Sequence, residues 1–200
     1  MKGNDDADKP QDQPLSEASQ ERNAGSSSDS AAAVEAEQVQ RALRRFVQIN
    51  LDSALGFETA AADVADPQLS ASFVRIAEMR RAHMEELQRL ADDRSAMTEA
   101  ETTEPRSSFL ASLHRMWIDA RSWLTAGDTY AVLAEVERGE DEIKAVYEKV
   151  LPSLEEAAAG RLLRRQHEDI RHLVAEQFAE VRRTHDRMRD LRDDSLESAT

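Results

Sequence analysis

The sequence has no cysteine, which excludes disulfides, thiolate metal sites and a cysteine nucleophile. No uninterrupted run of about 18 apolar residues is present to span a bilayer, and nothing near the N-terminus resembles the apolar region of a signal peptide. The expectation is a cytoplasmic protein without a membrane partner. Basic side chains are in deficit, 26 against 40 acidic ones for a formal charge of -14. That balance argues against a nucleic-acid partner, which would need a basic face. There is no glycine-rich phosphate loop, Ser-His-Asp set or His-Glu-x-x-His zinc motif, so nucleotide and nucleophilic chemistry are disfavoured.

What is present is a helix-forming sequence of 200 residues with 40% hydrophobic side chains, enough for one substantial core. Residues 1–30 are mainly small and polar, with almost no large apolar side chain, and read as a disordered acidic tail able to contact a basic partner. From Ala31 onward no alternating strand pattern occurs, and residues 31–194 read as one all-α bundle with 195–200 as a flexible end. Long helices are expected from Ala31 to Ala65, Pro67 to Asp93, Asp128 to Leu151 and Leu154 to Asp193, with Pro152 opening the last turn. A short amphipathic helix is expected near Ser107 to Leu124, carrying Leu110, Leu113, Trp117 and Leu124.

Polar residues interrupt the apolar stripes. Leu133, Val136, Glu140, Ile143, Tyr147 and Val150 follow one another at steps of three and four, which places Glu140 on an inward face. His185 interrupts Val174, Phe178, Val181 and Met188 in the same way, and Glu58 interrupts Val47, Leu51, Ala54 and Ala61. An ionised carboxylate taken from water must be paired, protonated, coordinated or lifted to the edge. If two antiparallel hairpins are joined by one long crossover, Glu58, Glu78, Glu137, Glu140 and His185 fall within about two helical turns of one level.

The stretches LDSALGFETAAADVADPQL, LHRMWIDARSWLTAGD, LAEVERGEDEIKAVY and RRTHDRMRDL resemble those of a bacterial ferritin-like family of unknown function, from about Val39 to Asp193. The resemblance implies a ferritin-like four-helix bundle with the short extra helix in the crossover between helices two and three. The wider superfamily holds two irons with one Glu from each of two helices and a Glu-x-x-His from each of the others. Here Glu78 is followed three residues later by Arg81, and His185 is preceded three residues earlier by Arg182, so neither Glu-x-x-His pair is complete. A Glu-rich set of Glu58, Glu78, Glu137, Glu140 and His185 would suit manganese or iron.

Each candidate also has a structural reading. Glu137 and Glu140 could pair with Arg182, Arg183 or Arg189, His185 could be a satisfied core histidine, Glu58 could cap an alanine-rich edge, and Glu78 could belong to a solvated face. His114 and Trp117 would form either a subunit contact or a packing face on their own bundle, while His167 and His172 read as surface positions. The expectations are therefore a metal-binding bundle linked to iron or oxidative-stress handling, or a non-catalytic assembly protein acting as a homo-oligomer or through its tail.

Overall fold

A computed structural model describes residues 17–97, 128–158 and 164–198. They form four helices, α1 (Glu17–Asp63), α2 (Pro67–Met97), α3 (Thr129–Ala158) and α4 (Arg164–Ser198), with no strand among the described residues. The short helix expected between Ser107 and Leu124, with His114 and Trp117, lies outside the described residues. So does the side chain of His167.

Two aspartates start helices. Asp66 Oδ1 accepts from the backbone N–H groups of Gln68 at 2.7 Å and Leu69 at 3.2 Å, with Pro67 in the first helical position, where a missing N–H loses nothing. Asp128 does the same for Tyr130 at 3.0 Å and Ala131 at 3.3 Å. Ser70 Oγ ties the first hairpin by donating to the Ala61 carbonyl at 2.7 Å.

Several expected boundaries move, the end of α2 among them, which runs past Asp93 to Met97. The helix expected from Ala31 reaches back to Glu17, into the stretch read as tail, although its serines, Asn23 and Gly25 are poorer helix formers than its alanines and glutamates. Pro152 does not open a turn; α3 continues through it to Ala158, and α4 is described from Arg164, not from Leu154. Pro152 and Glu148 are both exposed, so the carbonyl that proline deprives of its hydrogen bond sits on the solvated side of the helix. At the other end, α4 runs on to Ser198, beyond the expected stop at Asp193.

The core falls into two clusters that fix the helix directions. One joins Phe57 and Val64 late in α1, Leu69 and Phe73 early in α2, Val132 and Val136 early in α3, and Met188 late in α4. The other joins Val39 to Ile49 of α1, Leu87 and Ala91 of α2, Ile143 to Leu154 of α3 and Ile170 to Val181 of α4. Each hairpin is therefore antiparallel, while α2 and α3 run parallel, starting at the same end. Extensive packing joins α1 to both α2 and α3, and α3 to α4, with a sparser contact between α2 and α4. That leaves α2 and α3 facing each other across a diagonal.

Candidate functional site

Between the two apolar clusters lies a layer of buried polar side chains supplied by all four helices: Asn50 and Asp52 from α1, Arg80 and His83 from α2, Glu137 and Glu140 from α3, Gln177 and His185 from α4. Most of them continue an apolar stripe by a step of three or four, which is what turns them inward.

Arg80 is at its centre. It is fully enclosed, as is Glu140, and its Nη2 donates to Glu140 Oε2 at 2.7 Å across the diagonal. Ser53 Oγ adds a longer bond of 3.4 Å to the other carboxylate oxygen. Burial pushes the Glu140 carboxyl above the usual carboxylate range, and Arg80, Ser53 and the nearby His185 act against that rise. Arg80 Nε and Nη1 lack protein partners.

A second, neutral chain of bonds lies beside the ion pair, toward the larger apolar cluster. Asn50 Nδ2 donates to Tyr147 Oη at 2.7 Å and Tyr147 Oη donates to Gln177 Oε1 at 3.1 Å. Gln177 Nε2 in turn donates to Glu86 at 3.2 Å. Tyr147 packs between Phe46 and Phe178, with ring centroids 4.6 and 5.7 Å away. Burial pushes the phenol up to about 12, which keeps it a neutral hydrogen-bond donor. His83 lies 2.8 Å from Glu180 and is held below the ordinary histidine range, first by burial and then by the charge of Arg80.

The five residues expected as ligands fall into different places. Glu140 is in the layer, and its partner is Arg80 rather than Arg182, Arg183 or Arg189. Glu137 is buried but pairs with Arg192, on the last turns of α4. His185 is buried, with Nε2 2.9 Å from Asp141 and Nδ1 3.1 Å from Asp186. Glu58 is not inward: the buried face of α1 runs through Ala54, Phe57 and Ala60, and Glu58, about 100° further round, is exposed and bonded to Arg81 at 2.8 Å. Glu78 is exposed on α2, and His172 is exposed on α4.

The donor set therefore does not fit a metal centre as it stands. Glu140 already has a guanidinium as its cation, Glu58 and Glu78 face solvent, and no group of three or more His, Asp or Glu among the described residues is arranged to hold an ion. Sequence reasoning missed Arg80, although the signal was available: Phe73, Ile76, Arg80, Met84 and Leu87 step by three and four, so an arginine stands on the apolar stripe of α2 just as Glu140 stands on that of α3. Asp52 was missed because it lies beside, not on, the indexed stripe of α1.

No curated protein matches the chain. A family match covers residues 38–153, from the apolar face of α1 through Arg80 and Glu140 to the end of the α3 stripe: over that span the chain belongs to the DUF2383 family, a domain of unknown function.

Proposed function

We propose that this protein is a ferritin-like bundle in which an internal Arg–Glu pair stands where relatives of that architecture carry metal, and that it works as a non-catalytic assembly or partner-binding module. The observation that carries this reading is Arg80, fully enclosed and 2.7 Å from Glu140. A guanidinium there supplies the positive charge a buried carboxylate requires, and it repels a metal ion that would seek the same oxygens. Work through contacts agrees with the apolar side chains left at the surface, Val34, Leu55, Val74, Tyr130 and Leu196. A homo-oligomer, or a basic partner for the acidic first residues, are the forms such contact would take. A cytoplasmic setting is consistent with a chain in which no helix of the described residues is long and apolar enough to cross a membrane.

The competing reading is iron or manganese bound by Glu58, Glu78, Glu137, Glu140 and His185. It requires Arg80 to leave Glu140 and Glu58 to turn inward. Elemental analysis after purification without chelator, and again after anaerobic loading with iron or manganese, separates the two. The expected result is no stoichiometric metal in the wild type. Stoichiometric metal that Glu140→Ala and His185→Ala both abolish, with helicity intact by circular dichroism, would replace our reading with the metal one. Light scattering on the same samples reports whether the bundle self-associates.

A further inference from the structure

Of the neighbouring helices, α2 and α4 pack least closely, and polar side chains hold their edges together. His83 Nε2 lies 2.8 Å from Glu180 Oε2, and Gln177 Nε2 donates to Glu86 Oε2 at 3.2 Å and to the His83 carbonyl at 3.4 Å. A carboxylate only accepts, so neutral His83 carries its hydrogen on Nε2 and a lone pair on Nδ1. That Nδ1 is enclosed and has no partner in the protein. His83 is 7% exposed, whereas the Glu180 side chain is 39% exposed. The ring therefore stands just inside the rim of the seam.

The charges around the ring decide what a second proton does there. From α2 they are Arg80 and Glu86, and from α4 Glu180, whose other oxygen is 3.5 Å from Arg183. Glu140 of α3 is already bonded to Arg80. A proton on Nδ1 creates an enclosed donor without an acceptor and a second cation beside Arg80. Burial and then Arg80 hold His83 below the ordinary histidine range, against the pull of Glu180 and Glu86. The unfolded chain takes that proton more readily than the closed seam does, so the closed form loses stability as pH falls below 6.5.

We infer that the α2–α4 seam is a proton-operated latch: protonation of His83 turns its ring outward and parts α2 from α4, with both hairpins intact. The extensive α1–α3 packing on the opposite edge of the bundle serves as the hinge. Ile76 and Leu90 lie seven residues either side of His83, and Leu173 lies seven before Glu180, so the same helix faces carry half-buried apolar side chains. Opening hands these side chains to water or to a partner. The inference does not depend on what the bundle assembles with.

Because the chain has no cysteine, Ala82→Cys on α2 and Ala179→Cys on α4, both at exposed positions, take spin labels beside the seam and nowhere else. Dipolar distances are read between pH about 7.5 and about 5, with helicity followed by circular dichroism. We expect a longer distance that grows reversibly as pH falls, at constant helicity. A second labelled pair, Ala145→Cys with Ala179→Cys, spans the α3–α4 hairpin and should not change. His83→Gln keeps an N–H for Glu180 and cannot take the proton, so its seam should stay closed throughout. In the unmutated chain the His83 ring signal, followed by nuclear magnetic resonance, should titrate with the midpoint of the distance change. The inference is overturned if the α2–α4 distance ignores pH, if His83→Gln opens as the wild type does, or if the ring titrates at a different pH. It is equally overturned if helicity falls or the α3–α4 distance changes along with the opening.

Discussion

A buried arginine facing a buried glutamate has different consequences when one partner is removed and when both are. Arg80 and Glu140 are each enclosed, so Glu140→Ala would leave a guanidinium with no counter-charge in the core. Breaking such a pair costs about 3–5 kcal/mol, whereas replacing both members by apolar residues of similar volume is often close to neutral. Urea unfolding should therefore show Glu140→Ala and Arg80→Ala each destabilised by about that amount, and Arg80→Met combined with Glu140→Leu much less so. Equal losses in single and double variants would show that the layer's other hydrogen bonds depend on the pair. Asp52 gives a pH signature of its own. Its carboxyl is raised from 3.8 to about 6 in the folded protein, so the folded state holds that proton more tightly than the unfolded one. Stability from this group is gained as pH falls through about 6 and is absent above it. Asp52→Asn should accordingly be more stable than the wild type at pH about 8, with the difference shrinking as pH falls to about 5. A gap independent of pH would mean that Asp52 titrates alike in the folded and unfolded chain.

At the scale of the helices, periodicity was a good guide to which faces are buried and a poor guide to where helices stop. Val136, Glu140, Ile143 and Tyr147 are all enclosed, as their spacing requires. The α1 stripe was harder, because Val47, Leu51, Ala54, Glu58 and Ala61 and the true core face overlap by one residue in an alanine-rich segment. Packing chose the face with Phe46 and Phe57 as its bulk, Phe57 lying against Phe73 of α2, and that choice turned Glu58 outward. Pro152 misled for a related reason. Proline penalises a helix interior through the carbonyl one turn back, and that penalty is small where water can satisfy the carbonyl. The α3 stripe leaves Glu148 and Pro152 on the wet side, and that stripe, not the proline by itself, bears on whether the helix continues. The parallel course of α2 and α3, by contrast, is the assumption that puts the polar intruders at one level, and the two apolar clusters have that arrangement. What periodicity does not supply is the partner of each intruder: the arginine that neutralises Glu140 stands on the α2 stripe, which marks it as inward without linking it to α3.

For the molecule as a whole, the order in which contacts form follows from where the pair sits. Arg80 and Glu140 are 60 residues apart and belong to different hairpins, α1–α2 and α3–α4. Each hairpin can zip from its own short connection, but the guanidinium meets the carboxylate only after the two have docked with their ends correctly matched. The bond is thus a late event on the way to the native state, and little of it exists at the barrier. Glu140→Ala should then leave the refolding rate nearly unchanged and accelerate unfolding, a division that stopped-flow kinetics reads directly from the two arms of the denaturant dependence. The salt bridge sets the lifetime of the finished bundle and has little say in how fast it is made.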